Sequence, residues 1–322
     1  MKIDVLALDG VFDTGLATVL DAFGTANELA EIFGLTSLRF DVSTVGVRKT
    51  VRTAQGMSVP VIAAADRDPP DLAIVPALGY KMPAPLLAAL ARQDVIDAGL
   101  AIRRWADCGV RIAAACIGTF VLAESALLDD EDATTTWWLA PLFRQRYPKV
   151  RLDESRIIVP SGQFVTAGAA LSHLDMALWL IRQASPDLAA MTTKYLVVDT
   201  RPSQTAYMIP SHLALADPVV ERFERWSRKR LAQGFSLDDA ARATRTSKRT
   251  LARRTQRVLG KSPLSYFQDL RIELAVHLLK TSDEGIEEIA SRVGYADGVA
   301  LRVLLRRRLG RGVRELRPHQ TQ

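Results

Sequence analysis

Apolar runs alternate with longer amphipathic segments through the first two-thirds of the chain. The runs at 3–8, 71–75 and 111–115 are rich in Val, Ile, Leu and Ala, which is typical of strands buried on both faces. The segments at 15–33 and 84–106 have the apolar spacing of helices. Strands that alternate with helices predict an α/β fold, a flavodoxin-like sandwich with a mainly parallel sheet.

Shorter runs complete this region. Strands are predicted at 40–45, 150–152 and 157–159, a hairpin or edge excursion around 55–61, and a long apolar helix at 171–183. We interpret Pro186-Asp187 and the segment 202–210 as the exit from the domain. The predicted organisation is therefore an α/β domain over 1–200, a linker over 201–216 and an all-α domain over 217–322.

The last hundred residues show a different pattern twice: a short amphipathic helix, a tight turn and an Arg-rich helix. In the first unit, Ser236 can cap the short helix, and the second helix runs over 247–259 and ends at Gly260. In the second unit, the short helix at 285–292 precedes a helix over 297–309. The pattern predicts two helix-turn-helix units, separated by an amphipathic helix.

Both longer helices carry many cations, and such a helix fits the major groove of DNA. The alternative is that they are basic surface helices of an ordinary helical domain. The repetition of the whole unit favours DNA binding. The predicted DNA-contacting residues are Ser247, Lys248, Arg249, Thr250, Arg253, Arg254, Gln256, Arg302 and Arg306.

Charge is distributed unevenly between the two halves. Residues 221–322 contain 23 Lys and Arg against 12 Asp and Glu, a net charge of +11, whereas residues 1–220 have a net charge of −5. This asymmetry indicates that the C-terminal domain meets nucleic acid and the N-terminal domain does not. The absence of a long apolar segment, a signal peptide or a cysteine framework leads us to expect a cytoplasmic protein without membrane contact.

The C-terminal region resembles the AraC-type family of transcription regulators in the stretches 247–254, 260–266, 270–279 and 289–297. The resemblance implies that both units dock into successive major-groove faces of one duplex. The second unit departs from the family pattern. Leu301 and Leu305 stand where the family usually has an aromatic residue, and the Arg commonly found there is displaced to Arg302, with Val303 in its expected place.

Cys116 lies between a predicted buried strand and a predicted helix. Gly118, two residues later, would permit the sharp turn of a nucleophile elbow. A thiol at a helix N-terminus is expected to have a lowered pKa, which would make Cys116 an activated nucleophile. The alternative is a small buried apolar side chain, which is the commonest role of a free cysteine.

The first half resembles the PfpI-type branch of the class I glutamine-amidotransferase-like superfamily. The matching stretches are 115–123, 127–129, 133–137 and 166–168. A PfpI-like domain fused to an AraC-type domain is the arrangement of GlxA-like regulators. It implies a sensor and dimerisation domain whose elbow pocket faces small metabolites, often nitrogen-containing ones related to amino acids.

Enzymes of this superfamily require a base near the thiol. Thr136 stands where the related proteins usually have His, and Gly15 aligns roughly with a helper Glu. His173 lies in the predicted helix at 171–183, where a packed or hydrogen-bonded ring is expected rather than a catalytic one. Without a neighbouring base, a thiol is a weak nucleophile for covalent catalysis. We therefore predict a sensor without catalysis rather than an enzyme.

The predicted ligand-binding residues surround the elbow: Asp13, Gly79, Cys116, Ile117, Thr136 and Trp137. Trp137 and Trp138 could form an aromatic wall for a cationic amine, or could simply pack in the core. The four His residues are scattered and no Gly-rich phosphate motif exists, so we expect neither a metal nor a cofactor.

The predicted function is a sequence-specific, ligand-responsive transcription regulator. Its expected partners are double-stranded operator DNA, a small-molecule effector and a second copy of the chain in a homodimer. Two alternatives are a Cys116-dependent amidohydrolase or glyoxalase-like enzyme that carries a DNA-binding domain, and a constitutive architectural or partner-binding protein whose sensor domain has lost its ligand.

Overall fold

The computed structural model describes residues 1–35, 38–199, 201, 203–204, 207–209, 213–214, 217–309 and 312–317. The chain forms two compact units, Met1–Met208 and Ile209–Gln322. Within the predicted linker and the predicted exit segment, residues 202, 205–206, 210–212 and 215–216 lie outside the described residues. Among the described residues, none of the helices is both long and apolar enough to cross a membrane.

A seven-stranded sheet with the order β10-β11-β7-β6-β1-β2-β5 forms the centre of the first unit. Its neighbouring strands are parallel, except that β10 and β11 are antiparallel. The strands are β1 (Lys2–Leu6), β2 (Asp41–Gly46), β3 (Val51–Arg52), β4 (Ser58–Val59), β5 (Ile62–Ala63), β6 (Leu72–Val75), β7 (Arg111–Ala115), β8 (Asp132–Ala133), β9 (Arg151–Leu152), β10 (Ile158–Ser161) and β11 (Phe164–Ala167). This confirms the predicted fold class.

Helices cover both faces of the sheet. They are α1 (Asp13–Ile32), α2 (Pro83–Leu90), α3 (Gln93–Asp107), α4 (Gly118–Glu124), α5 (Ala140–Arg146), α6 (Ser172–Ala184) and α7 (Pro186–Tyr195). Successive residues of β7 alternate between two apolar clusters: Ile112 and Ala114 belong to one, Ala113 and Ala115 to the other. The alternation follows from the two-residue period of a strand, and it gives the sheet a separate core on each face.

The interpretation of Pro186-Asp187 as the domain exit is wrong. Pro186 is the first residue of α7, a position where proline is tolerated because its missing N–H would have no partner within the helix. The side chain of Ser185 accepts a hydrogen bond from the Leu188 N–H at 3.2 Å and caps the helix. Leu188 and Ala189 are fully buried against the core, so α7 belongs to the α/β domain.

The second unit is entirely helical where it is described. Its helices are α8 (Pro218–Arg228), α9 (Leu237–Ala243), α10 (Lys248–Leu259), α11 (Pro263–Thr281), α12 (Ile286–Arg292), α13 (Gly298–Leu309) and α14 (Val313–Leu316). The pairs α9–α10 and α12–α13 are the two predicted helix-turn-helix units. Ser236 and Ser247 cap the helices of the first unit, and Gly260 ends α10 with a φ of +65°, as predicted.

Helix α11 is shared by the two helix-turn-helix units. Tyr266 and Phe267, near its start, pack against aromatic residues of the segment before α9. Leu278 and Leu279, near its end, belong to the cluster formed with α12 and α13. Arg271 lies between these regions, where its Nε donates to the Leu231 carbonyl at 2.8 Å.

Helix α4 starts against the end of β6. A Cβ placed on Gly118 would lie 2.1 Å from the Val75 carbonyl oxygen, which is backbone and has little freedom to move. Gly118 is therefore required for the close approach of α4 to the sheet.

We expect Gly118→Ala to lower the free energy of unfolding by about 1–3 kcal/mol, because the added methyl group overpacks a buried contact. Gly24→Ala is the matched control, since a Cβ at Gly24 meets nothing within 4 Å. On an exposed helical position it should raise stability by about 0.5–1 kcal/mol. Thermal unfolding of the full chain measures both, and equal stabilities for the two variants would contradict the packing described for α4.

Candidate nucleic-acid interface and ligand site

We call α10 and α13, the second helices of the two helix-turn-helix units, the recognition helices, which is the usual name of this helix in the motif. The buried and exposed residues of α10 lie on separate faces. Leu251, Thr255 and Val258 are buried against the domain. Arg249, Arg253 and Gln256 are exposed, and their spacing of four and three residues places them on one side of the helix. Among the described residues, these three side chains have no ion-pair or side-chain hydrogen-bond partner, so they are available to a molecule that binds this face of α10.

Other cations of α10 are already engaged within the protein. Lys248 Nζ lies 2.7 Å from Asp238 Oδ1. Arg254 Nη1 lies 3.1 Å from Asp217 Oδ1, and Arg257 Nη2 lies 3.2 Å from Asp217 Oδ2. Lys248 and Arg254 are among the DNA-contacting residues predicted from the sequence, together with Arg249, Arg253 and Gln256. Their DNA contacts stay a prediction, but the structure gives each of them an acidic partner.

Asp217 joins the start of α8 to the recognition helix. Its Oδ1 accepts a hydrogen bond from the Val219 N–H at 2.8 Å, so the same carboxylate caps α8 and holds Arg254. Burial disfavours the ionised carboxylate, but the hydrogen bonds from Val219 and Arg254 outweigh it and lower the pKa of Asp217. The Asp217-Pro218 pair signals the helix start in the sequence, whereas nothing in the sequence signals the pairing with α10.

Ser247 and Thr250, the other predicted DNA-contacting residues of the first unit, lie at the start of α10. Ser247 Oγ accepts a hydrogen bond from the Thr250 N–H at 3.1 Å, and the two hydroxyl groups are 3.0 Å apart. Ser247 is exposed and Thr250 is half-buried. Both side chains therefore lie at the N-terminal end of the recognition helix, which is the end that approaches the bases in helix-turn-helix complexes.

The second recognition helix, α13, is capped by Asp297, whose Oδ1 accepts a hydrogen bond from the Ala300 N–H at 2.7 Å. Leu301 and Leu305 are fully buried and attach the helix to its domain. Arg302 and Arg306, each one residue after a buried leucine, are exposed. Neither has an ion-pair partner within the described part of the chain, so both are accessible, and their DNA contacts stay a prediction.

Cys116 forms the predicted elbow at the end of β7. Its φ of +56° is in the left-handed region, which costs energy for a residue with a side chain. Two hydrogen bonds hold this conformation: the Cys116 N–H donates to Ala167 O at 2.9 Å, and Thr135 Oγ1 donates to Cys116 O at 2.7 Å. The prediction of a sharp turn is therefore confirmed.

The predicted lowering of the thiol pKa is wrong. Cys116 is only 4% exposed. Burial raises the pKa of its thiol, and the N–H groups of Ala170 and Ile117 and the nearby side chain of Thr136 oppose this shift without reversing it. A neutral thiol at pH 7 is a poor nucleophile. The contribution of the helix N-terminus is smaller than the cost of desolvating a thiolate.

His173 occupies the space that the missing side chain of Gly15 leaves. A Cβ on Gly15 would lie 2.7 Å from His173 Nε2. This nitrogen accepts a hydrogen bond from the Ala77 N–H at 3.0 Å, and Nδ1 is 2.5 Å from Ala170 O, to which it donates. Burial lowers the pKa of His173 to about 4, so the ring is neutral at pH 7 and both nitrogens are used. This agrees with the prediction of a packed, hydrogen-bonded histidine.

The six predicted ligand residues differ in their accessibility. Cys116, Ile117 and Thr136 are buried, and Trp137 is 7% exposed with its ring 5.4 Å from that of Trp138 in an edge-to-face contact. Gly79 is half-buried, but its N–H already donates to Gly10 O at 2.7 Å and is not free for a ligand. Asp13 is half-buried and accepts a hydrogen bond from the Gln55 N–H at 3.2 Å.

Some buried polar side-chain atoms of this unit have no hydrogen-bond partner among the described residues, and Asp13 Oδ1, Thr119 Oγ1 and Trp138 Nε1 are three of them. Asp13 starts the helix after β1, and Thr119 follows Cys116, to whose carbonyl its N–H donates at 3.2 Å. These segments adjoin the carboxyl ends of β1 and β7, on either side of β6. Ligands of open α/β sheets bind at this edge, near the point where the strand order reverses.

No group of three His, Cys, Asp or Glu side chains that could hold a metal ion occurs within the ranges that the structure describes.

Comparisons with known proteins agree with both units. A helix-turn-helix domain family matches residues 240–319. The chain is 25% identical over 300 residues to the HTH-type transcriptional regulator GbdR of Pseudomonas aeruginosa, and the aligned region covers 91% of this chain and 78% of that protein. It is 27% identical over 212 residues to the HTH-type transcriptional regulator GlxA of Rhizobium meliloti, with 61% of each chain covered.

A solved structure supports the fold. An AraC family transcriptional regulator from Pseudomonas putida superposes with a TM-score of 0.51 and 17% identity over 61% of this chain and 98% of its own. The chain thus combines an α/β unit with a helix-turn-helix domain, and its similarity to the named transcriptional regulators extends over most of its length. It is a DNA-binding transcription regulator.

The buried, neutral His173 makes stability depend on pH. Its folded-state pKa of about 4 is below the ordinary value of 6.5, so the unfolded chain binds the proton first on acidification. The contribution of neutral His173 to the free energy of unfolding should be fully present above about pH 6.5. It should be lost between about pH 6.5 and 4, which lowers that free energy by up to about 3 kcal/mol. Urea unfolding at several pH values measures this. The free energy of unfolding of His173→Gln should depend less on pH in this range than that of the parent protein, and an equal dependence would contradict a buried, neutral His173.

Proposed function

We propose that this regulator reads a specific operator with the free face of α10 and responds to a small nitrogen-containing effector near Cys116, without catalysis. The observation that carries the first part is the separation of cations on α10. Arg249, Arg253 and Gln256 share one exposed face and have no partner among the described side chains, while Lys248, Arg254 and Arg257 are held by acidic residues.

Arginine and glutamine on this face have suitable chemistry for base edges. Arg can donate two hydrogen bonds to guanine, and Gln can pair with adenine in the same groove. An arginine already bound to Asp217 would have to exchange a charged partner for DNA, so we assign Arg254 to positioning α10 rather than to base reading. Its guanidinium is partly exposed and can still lie close to a phosphate.

The proposal for the effector is supported by the unpaired polar atoms near the elbow. A buried donor or acceptor without a partner costs about 1–3 kcal/mol, so native proteins normally satisfy such groups with water or a ligand. Asp13 has a carboxylate oxygen that could bind a cationic amine, and the Trp137–Trp138 pair has aromatic edges and faces that suit the same chemistry. The low exposure of Cys116 and Thr136 limits the effector to a small molecule.

The absence of catalysis is inferred from the chemistry of the thiol. Burial raises the pKa of Cys116, and Thr136 stands at the place where a base would be needed. His173 cannot serve as the base, because its two nitrogens are committed to Ala77 and Ala170. We therefore propose that Cys116 packs beside the effector and does not attack it.

We further propose that the regulator acts in the cytoplasm as a homodimer through its α/β domain, and that the effector changes the placement of the DNA-binding domains. Sedimentation of the full chain with and without DNA tests the dimer.

Arg249→Ala should weaken binding to a selected operator by about 1–3 kcal/mol and relax the preference at one base position. Arg225→Ala is the control, because Arg225 is an exposed arginine of α8 that pairs with Glu221. We expect the control to bind like the parent protein. Titration of operator and unrelated duplexes at fixed salt measures both variants, and an equal loss on all sequences would show that Arg249 contacts phosphate only.

A thermal-shift screen with amino acids, polyamines, quaternary amines and small amides should find a stabilising effector. At 100 times its dissociation constant, a ligand adds about 2.7 kcal/mol to the native state. Asp13→Asn should remove most of the shift, whereas Asp21→Asn, on the exposed part of the same helix, should retain it. An effector that stabilises both variants equally would place the site elsewhere, and the complete absence of a shift would favour a sensor that has lost its ligand.

A further inference from the structure

Helix α13 exposes two valines on the face that carries its free cations. Val299 is 61% exposed and Val303 is 63% exposed. They are four residues apart, so their side chains are neighbours on the helix surface. Arg302 and Arg306 are exposed on the same side and have no ion-pair partner in the described part of the domain.

This apolar pair is not needed to attach α13 to the domain. Leu301 and Leu305 are fully buried and form that contact. Valine is also a poorer helix former than alanine or the charged residues that usually occupy exposed helical positions. Because other residues make that contact, we take the two valines to be available to a partner. They lie beside arginines that have no ion-pair partner among the described residues, which indicates a partner that is both apolar in places and negatively charged.

The major groove of DNA has this combination. Its phosphates attract arginine, and the C5-methyl group of thymine is an apolar feature among the hydrogen-bonding groups of the base edges. A rise of 1.5 Å per residue separates positions 299 and 303 by about 6 Å along the helix, which is close to the ~7 Å covered by two base steps. Two methyl groups about two steps apart would match the pair.

We propose that Val299 and Val303 read thymine methyl groups in the major groove, while Arg302 and Arg306 hold the adjacent phosphates. The second helix-turn-helix unit would thus select sequence by apolar contact. In the first unit the corresponding exposed face is polar, with Arg249, Arg253 and Gln256, and selects by hydrogen bonds. This inference rests on operator binding by the full chain, and it adds a specificity-determining role for two residues outside the predicted contact set.

The test starts from an operator that the full-length protein selects from random duplex DNA. Each thymine in it is replaced singly by deoxyuridine, which removes only the methyl group. Within the part of the operator that α13 contacts, one or two replacements should weaken binding about 4-fold each, which corresponds to about 0.8 kcal/mol for a buried methyl group. Thymines elsewhere should tolerate the replacement.

Val299→Ala and Val303→Ala are the protein variants of a double-mutant cycle, in which the change in the DNA is the replacement of thymine by deoxyuridine. Each variant should bind the thymine operator more weakly than the parent protein and should be insensitive to deoxyuridine at its own position. Alanine favours helix, so folding of α13 is maintained, and circular dichroism checks it. Leu264→Ala is the control, since Leu264 is 48% exposed at the start of α11 and should have no effect on either operator.

The outcomes are distinct. Equal affinity for thymine and deoxyuridine operators at every position, with parental binding by both valine variants, would overturn the inference and leave DNA binding intact. A change in oligomeric state instead of operator affinity would assign the valines to a protein contact and would also overturn it. Failure to select any sequence at all would instead contradict the proposed function.

Discussion

Helix α11 is the constraint on which the DNA-binding unit depends. It has 19 residues and is therefore about 28 Å long, and each of its ends is buried in the core of one helix-turn-helix unit. Arg271 fixes the join between the units. Its guanidinium lies 4.9 Å from the Phe267 ring and 5.3 Å from the Tyr295 ring, and its Nε binds the Leu231 carbonyl. A Cβ on Gly294 would lie 2.3 Å from Arg271 Nη2, so the second turn closes directly on this arginine. These contacts join the two helix-turn-helix units within the domain.

The α/β unit provides the shape of a reactive site with little of its chemistry. The elbow at Cys116 has the strained backbone and the glycine contact of a nucleophile turn. Burial nevertheless keeps the thiol neutral, and the space beside Gly15 is filled by the His173 ring. The same desolvation that weakens a nucleophile strengthens hydrogen bonds and charge contacts to a bound molecule. This is the physical basis for the proposal that the elbow recognises a small molecule without transforming it.

Patterns that depend on local spacing could be predicted from the sequence, and those that depend on tertiary contact could not. The continuous apolar runs of β1, β6 and β7 and the repeated cap, turn and glycine signals of the helix-turn-helix units gave correct elements, because apolar runs and capping are local properties. Helix α7 was missed because Pro186 was interpreted as a break, although Ser185 before it is a helix cap. The pKa of Cys116 was predicted in the wrong direction, since burial is decided by distant strands and loops. The pairing of Arg254 with Asp217, 37 residues away, has no local signal either.

We propose that the two recognition helices read one duplex at positions fixed by α11. A hydroxyl-radical footprint of the full chain on a selected operator is the test of this arrangement. We expect, for each chain, two protected segments on the same face of the duplex, about one helical turn or ~10 base pairs apart. A single protected segment, or two segments whose spacing varies between operators, would show that the rigid link through α11 and Arg271 does not govern DNA recognition.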